Sequence, residues 1–518
     1  MKKTEEISKI AERKREKNLS SEFKKLSESE YENLIKTYPP NDETQFEVLT
    51  FGKSKGLKVP KRLADLLKMK SETLLNGYAD KTPDYYTDVL VIGGGGAGII
   101  SALEAVKHGS VILATKFRIG DGNTVMAEGG IQSALSDGDS EKRHFSDTYN
   151  GGLKSGNEKL IEILTGNGKS AIEYLKNLGV NFDKTETGEI KLYNGGGVSR
   201  PRICSAKDFT GLEIIRVLRS ELLSSAVKIL EYRSAIEILT SEDGFVSGVV
   251  LKSFDGKITV VRAKSVIVAT GGAGRLYYGG FPTTNSFDAT ADGMVLAYRA
   301  GCSFKDADSL QYHPTCAVYP PLLRGSLITE KARSMGAKLL NAYGEEFINS
   351  LEKRDAVSSA IIKECSEGRG VTLEDGTSAV VLDTPMIDII NGEGTTAKYL
   401  PNVYNTYKRS GIDVTKEPIL VYPAMHYQNG GIAIDERAET DIKNLFAVGE
   451  VTGGIHGRNR LMGNSLLELV VFGLIAGESA GKSAKSSDFK TPSEENLKRY
   501  YADIELIDGF SPIILPEN

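Results

Sequence analysis

Asp88-Val-Leu-Val-Ile92 runs directly into Gly93-Gly-Gly-Gly-Ala-Gly98, and that glycine turn opens a helical stretch over residues 99–107. Val111-Ile-Leu-Ala114 is a second apolar run. The order strand, glycine turn, helix, strand is a βαβ unit, and it commits the chain to an α/β fold. Gly93 permits the tight turn, Gly95 lets backbone approach a pyrophosphate, and Gly98 packs helix on strand. Ala97 lies in the first turn of the helix, whose N-terminus supports the phosphate charge. An NAD site places Asp or Glu at the end of the second strand, to bind the ribose. Thr115-Lys116 stands there instead, which points to FAD. Two later runs also end at glycine: Ser265-Val-Ile-Val-Ala269 before Gly271-Gly272-Ala273-Gly274, and Asn444-Leu-Phe-Ala-Val448 before Gly449-Glu450. Three such strands, far apart in sequence, predict one Rossmann-like sheet interrupted by insertions.

Composition narrows the class further. The 518 residues are 40% hydrophobic and 26% charged, which supports a large buried core and excludes wholesale disorder. A net charge of -5 offers no basic surface for nucleic acid. None of the four cysteines forms a C-x-x-C pair, so the pattern is neither a disulfide framework nor a zinc or iron–sulfur cradle. Cys204, Cys302, Cys316 and Cys365 read as structural thiols. The charged N-terminus lacks the apolar core of a signal peptide. The longest apolar stretch, residues 466–475, is interrupted by Glu468 and falls short of the ~20 residues that span a bilayer. The expected location is the cytoplasm, either free or peripheral in a redox complex. Residues 1–85 differ in texture, with helical spacing at Ile7, Ile10 and Ala11, then Leu19 and Phe23. A Tyr38-Pro39-Pro40-Asn41-Asp42 break separates this part from a second helical piece over residues 60–75. Such an arm serves equally as a solvated tail or as a docking segment for another subunit.

Residues 115–131, Thr-Lys-Phe-Arg-Ile-Gly-Asp-Gly-Asn-Thr-Val-Met-Ala-Glu-Gly-Gly-Ile, carry a family resemblance. They are similar to the FAD-binding segment of the succinate dehydrogenase and fumarate reductase flavoproteins, a family that includes L-aspartate oxidase. His144-Phe-Ser-Asp-Thr148, Asp208-Phe-Thr-Gly211, Ala269-Thr-Gly-Gly272, Asp292-Gly293 and Asn464-Ser465-Leu466 follow in matching order, so the likeness runs from about Thr87 to about Ala480. It implies FAD contacts at Thr115, Lys116, Asn123, Thr124, Glu128, Gly129, Gly130, Asp292, Glu450, Ser465 and Leu466. In membrane-bound members the position of Asn123 is a histidine bonded covalently to the flavin. An amide cannot make that bond, so dissociable FAD is expected, with a lower potential that favours substrate reduction.

Reducing a small dicarboxylate requires cations and donors for two carboxylates, a hydride source, an acid and a relay that resupplies it. The chain offers Gln311-Tyr-His313-Pro-Thr315, Leu327-Ile-Thr329-Glu330-Lys-Ala-Arg333, Lys353-Arg354-Asp355, His426-Tyr-Gln-Asn-Gly430-Gly431 and His456-Gly-Arg-Asn-Arg460-Leu. Each block alone reads as packing, a helix cap or a surface ion pair. Together they resemble the active-site set of fumarate reductases. The resemblance implies that His426 and Arg460 bind one carboxylate and His313 and Thr329 the other. It makes Arg354 the proton donor, with Glu330 and Arg333 as its relay. His108 reads as a surface residue and His144 as packing.

Two departures matter. Arg333 is followed by Ser334-Met335-Gly336 where the family has Gly-Glu-Gly, and the turn Asn194-Gly-Gly-Gly197 lacks the acid that aspartate oxidases use for the substrate ammonium. The chain also stops soon after the helix ending near Ala480, where other members carry a further helical domain. The expected architecture is therefore a helical extension (1–85), an FAD-binding domain (86–304 and 426–482) with an inserted α+β capping domain (305–425), and a tail (483–518). The expected activity is transfer of hydride from reduced FAD to fumarate or a close dicarboxylate, giving succinate. The alternatives are L-aspartate oxidase, or a flavin-bearing electron-transfer or scaffold subunit with an idle dicarboxylate site. With no haem or iron–sulfur motif in the chain, electrons are expected from a separate protein or subunit, an iron–sulfur protein being one candidate, or from a diffusible donor.

Overall fold

In the computed structural model, which describes residues 2–21, 23–276 and 281–510, the glycine turn sits at the end of a buried central strand. Strands β1 (Tyr85–Ile92), β2 (Val111–Ala114), β3 (Lys228–Leu230), β4 (Arg233–Thr240), β5 (Val246–Ser253) and β6 (Ile258–Val268) lie in the order β4-β5-β6-β1-β2-β3. β6, β1, β2 and β3 are parallel, whereas β4, β5 and the first half of β6 pair antiparallel. The last residues of β6 also take Leu445–Ala447 as a parallel neighbour, which returns the distant chain to this sheet.

Both faces of the sheet are covered, so its strands read as continuous apolar runs rather than alternating ones. Val89, Val91, Val111 and Leu113 pack against the helices Gly96–Ala105 and Asn464–Lys485. Leu90, Ile92, Ile112 and Ala114 face the helix Asp292–Ala300 and, beyond it, Leu49, Phe51, Val59, Leu63 and Leu67 of the N-terminal arm.

A second sheet is built from β7 (Leu310–Ala317), β8 (Lys338–Leu340), β9 (Ser378–Asp383) and β10 (Ile419–Gln428), antiparallel in the order β7-β10-β9-β8. The helix Arg354–Ser366 contributes Ala356, Val357, Ala360 and Ile361 to its core. β10 continues through Gln428, across the expected boundary at 425/426, so His426 stands on this second sheet. The helix Asn464–Lys485 likewise passes the expected end at 482.

The arm is neither a solvated tail nor free for another subunit along its buried faces. Ile7 and Ala11 of the helix Lys2–Ser20 pack on Val318, Leu340, Val381 and Leu420 of the second sheet. Arg15 on the same helix pairs with Asp383 at 2.9 Å. The expected helix at 60–75 forms as Lys61–Lys68 and Glu72–Asn76, interrupted by a two-residue strand that pairs with Ile507–Phe510. Among the described residues, no helix is long and apolar enough to cross a membrane.

Candidate active site

A crevice opens at the C-terminal ends of β1, β2 and β6, where parallel α/β sheets bind ligands. Residues 93–97, Thr115, Lys116, Asn123, Thr124, Asp292, Glu450, Ser465 and Leu466 line it. The glycines divide by role. A Cβ on Gly93 would lie 2.2 Å from the Ala269 carbonyl oxygen, and one on Gly98 would lie 2.0 Å from that of Gly93. Both are required by packing. A Cβ on Gly95 would meet only Thr124 Oγ1, at 3.9 Å, because that position faces the crevice and leaves backbone bare to a guest. The helix that follows has no N-cap side chain; its Gly96 amide donates to Thr124 Oγ1 at 3.3 Å, and the rest of its N-terminal turn faces an anion with its positive dipole end.

Lys116 donates to Thr290 Oγ1 at 2.9 Å and Asp292 Oδ2 at 3.0 Å, which explains why a lysine is tolerated at the end of β2. Asn123 is held on all sides. Its Nδ2 donates to Asn285 Oδ1 at 2.7 Å and Glu450 Oε2 at 2.9 Å, and its Oδ1 accepts from the Ser286 amide at 2.7 Å. Burial pushes the Glu450 carboxyl up to about 7, against the Gln428 amide and the Asn123 side chain, which favour its charged form. The crevice therefore fits an uncharged ring system and an anionic pyrophosphate. Gly98, Glu128, Gly129 and Gly130 do not line it. Glu128 instead lines a neighbouring cleft beside Asp208, where Oε1 accepts from Asn402 Nδ2 at 2.8 Å and burial raises its carboxyl well above the usual range.

The crevice wall continues through Leu327, His426, Tyr427 and Arg460 into a second, cationic space. His313 on β7 and His426 on β10 meet edge to face with ring centroids 5.1 Å apart. Each has Nδ1 engaged: that of His426 with Thr284 Oγ1 at 2.8 Å, that of His313 with the Thr315 carbonyl oxygen at 3.1 Å and the Thr315 amide at 3.3 Å. Burial, then the positive charge of Arg354, holds both imidazoles far below their ordinary value, so both are neutral.

Thr329 caps the short helix Glu330–Ser334, its Oγ1 accepting from the Lys331 amide at 3.3 Å, and so places Glu330 at the helix start. Glu330 Oε2 accepts from Arg354 Nε at 2.9 Å and lies 3.3 Å from Arg333 Nη2, while Oε1 accepts from the Gly196 amide at 2.7 Å. Burial alone would raise this carboxyl, but Arg354, Arg333 and the Gly196 amide bring it down to about 2. It is ionised at any physiological pH. Arg460 stacks on the Tyr427 ring at 4.2 Å and donates from Nη1 to Ser465 Oγ at 3.1 Å. Burial and Arg354 lower it to about 10. Its Nε, and Nε of Arg333, are buried without a hydrogen bond, the condition of donors that await an anionic guest.

All seven residues implied for substrate and proton transfer thus belong to one site. Four others escaped the sequence reading. Gln311 accepts from Arg354 Nη1 at 3.2 Å and donates to the Arg460 carbonyl at 2.7 Å, joining the two arginine segments. Thr284 sets the His426 ring and Tyr427 supports Arg460. Lys331, nearly fully buried, donates to Asp183, Ser205 and the Lys207 carbonyl at 2.9–3.0 Å and pins the short helix to the first domain. Gln311 and Tyr427 adjoin motif histidines, a signal that could have found them. Thr284 has none. His108 is half-buried at the surface against Gly481, and His144 is buried and bonded to Asn464.

An α/β fold with this crevice and an adjoining arginine–histidine clamp defines a flavoprotein oxidoreductase. A family model described as an FAD binding domain matches residues 88–466. An uncharacterized FAD-dependent oxidoreductase of Methanocaldococcus jannaschii is 40% identical over 434 residues, covering 82% of this chain and 77% of that protein. A fumarate reductase (CoM/CoB) polypeptide of Methanothermobacter marburgensis is 37% identical over 415 residues, 78% of this chain and 74% of that one. Among solved structures, the FrdA chain of a quinol fumarate reductase variant of E. coli superposes with a TM-score of 0.73 at 31% identity, over 82% of this chain and 74% of that one. The chain belongs to the succinate dehydrogenase/fumarate reductase flavoprotein family, and its cofactor is FAD.

Proposed function

We propose that this protein is a fumarate reductase-type enzyme that reduces fumarate, or a close dicarboxylate, to succinate. The observation that carries this reading is the Arg354–Glu330–Arg333 chain, closed at 2.9 and 3.3 Å beside two neutral histidines. Residues 93–97, Thr115, Asn123, Thr124, Glu450 and Ser465 would hold FAD without a covalent bond. When bound, the reduced cofactor supplies the hydride.

The residues of the chain do the rest. His426 and Arg460 hold one carboxylate, and His313 and Thr329 the other. In the neutral tautomer whose Nδ1 accepts, from the Thr284 hydroxyl in His426 and from the Thr315 amide in His313, each histidine donates to a carboxylate through Nε2. Arg354 uses Nε and Nη1 on Glu330 and Gln311, and its Nη2 makes no hydrogen bond among the described residues. That group is the donor to the substrate carbon next to the one that receives hydride. Glu330, touching both guanidinium groups, returns a proton from Arg333 to Arg354. An arginine acid is unusual because guanidinium holds its proton tightly. Arg333, Arg460 and Arg354 crowd one site, and that mutual repulsion favours release. Residues 305–425 serve as a cap that keeps water from the reacting atoms.

Among the described residues, no group of three or more His, Cys, Asp or Glu side chains is placed to hold a metal. In this reading electrons come from a separate protein, of which an iron–sulfur subunit is the leading type. The test is oxidation of reduced viologen by the FAD-loaded protein. Fumarate-dependent oxidation supports the reading. Turnover with L-aspartate and oxygen instead would make the protein an oxidase, and no turnover with either would leave the electron-transfer or scaffold role.

A further inference from the structure

Arg354 opens the helix Arg354–Ser366, and Lys353 before it supplies no side-chain cap. The first turn is steadied by Asp355, whose Oδ1 accepts from the Ala356 amide at 2.9 Å. A residue that must aim a guanidinium at a substrate carbon thus sits at a helix terminus with little local support. Glu330 and Gln311 hold its guanidinium, and the backbone that carries it is gripped in addition from 320 and more residues away in sequence. Asn349 Nδ2 donates to the Phe23 carbonyl at 2.7 Å, Glu352 Oε1 accepts from the Leu26 amide at 2.8 Å, and Asp355 Oδ2 accepts from the Tyr31 hydroxyl. Residues 349, 352 and 355 are therefore gripped at three-residue spacing from outside. From the inside, Arg333 donates to the Ser350 carbonyl and the Gly197 amide to that of Leu351. The segment leading into Arg354 is clamped between the active site and the N-terminal arm.

The arm is anchored at both ends. Its first helix packs on the second sheet through Ile7 and Ala11, and Leu49, Phe51 and Leu63 are part of the core beneath β1. Tyr31 is half-buried, with Lys353 Nζ 4.6 Å over its ring, so its hydroxyl is presented from a fixed position. We propose that the N-terminal arm belongs to the catalytic apparatus, with Tyr31 as the positioning residue that, through Asp355, fixes the direction of Arg354. This rests on the assignment of Arg354 as proton donor made above. Small misplacement of a reacting group is costly, up to about 100-fold in rate for ~1 Å. Substrate binding, carried by His426, Arg460, His313 and Thr329, would be spared.

The arm supplies its own control. Tyr38 makes the same kind of bond, from its hydroxyl to Glu367 Oε1 at 2.6 Å, but just past the far end of the same helix. Tyr31→Phe and Tyr38→Phe are compared with the unaltered full-length protein in steady-state fumarate reduction and in hydrogen exchange of the amides of residues 353–357. Expected for Tyr31→Phe are a kcat lowered about tenfold, a fumarate KM changed by less than about twofold, and faster exchange at those amides. Tyr38→Phe should match the unaltered protein in all three. A Tyr31→Phe protein with normal kcat, or a loss shared equally by Tyr38→Phe, overturns the proposal while leaving the fumarate reductase reading intact. Absence of fumarate reduction in the unaltered protein overturns that reading and this proposal with it.

Discussion

Replacing Arg354 by Ala tests the chemistry most directly, because the structure separates its effect on rate from its effect on stability. For the rate, the substitution removes the acid. General acid catalysis contributes about 10²–10⁴-fold, and the upper half of that range applies where the donor also supplies positive charge near the substrate. The expected fall in kcat is about 10³–10⁴-fold, or about 4–5.5 kcal/mol in the barrier. For stability, Glu330 loses one of two guanidinium partners in a fully buried setting, and orphaning a buried charge costs about 3–5 kcal/mol. Arg333 at 3.3 Å and the Gly196 amide at 2.7 Å remain, so the lower end applies, about 3 kcal/mol. Arg354→Lys separates the two effects. A lysine restores charge beside Glu330 but cannot reach Glu330 and Gln311 together, so stability should recover more than rate. The assay pairs fumarate-dependent oxidation of reduced viologen with thermal unfolding of the FAD-loaded protein. An Arg354→Ala protein that keeps more than about a tenth of the normal kcat would mean that another group donates the proton.

Two further outcomes follow from side chains around the cofactor. Acid precipitation should leave the yellow colour in the supernatant, because the Asn123 amide has no atom able to bond the flavin and is engaged by Asn285, Glu450 and Ser286; colour in the pellet would refute this. His144, buried and bonded to Asn464 Oδ1 at 3.0 Å, is pushed down to about 4, chiefly by burial. The unfolded chain takes up that proton first, so stability falls as pH drops from about 6.5 toward 4, by about 2 kcal/mol at pH 5. His144→Gln should remove that part of the acid sensitivity in melting curves at pH 7 and pH 5, and an unchanged slope would contradict it.

The parts of the fold legible in sequence are those whose signal is local. The glycine turn, β2 and the run at 88–92 stand where their residues place them, because a strand buried on both faces is apolar throughout. The run at 265–269 proved to be only the end of β6, whose first half pairs antiparallel, and its Arg262 and Lys264 hide it from an apolar search. The clamp was legible because each block carries its own element: His313 on β7, Glu330 and Arg354 at helix starts, His426 on β10. What orients those side chains was not. Thr284 lies 142 residues from His426, and nothing in an ordinary polar loop marks it as the partner of an imidazole. The arm failed for the same reason in reverse. Its charged face reads as solvated, yet Arg15 has its partner Asp383 368 residues away.

Charge arithmetic supports the dicarboxylate proposed above. Arg333, Arg354 and Arg460 contribute three positive charges to the clamp, the neutral histidines none, and Glu330 one negative charge. The remainder is two positive charges, the complement of a dicarboxylate dianion. An amino dicarboxylate would add an ammonium group that needs an uncommitted acid. Glu330 is taken by two guanidinium groups and the Gly196 amide, and Glu450 by Asn123 and the Gln428 amide. The turn at 194–197 cannot readily be refitted for that purpose. A Cβ on Gly196 would lie 2.8 Å from the Glu352 carbonyl oxygen and 3.0 Å from Glu330 Oε1, so a side chain there would displace the carboxylate that the Gly196 amide now holds. Where an oxidase needs an acid for the substrate's amine, this chain has the bare Gly196 amide holding Glu330, the carboxylate that would recharge Arg354 in the reading proposed above.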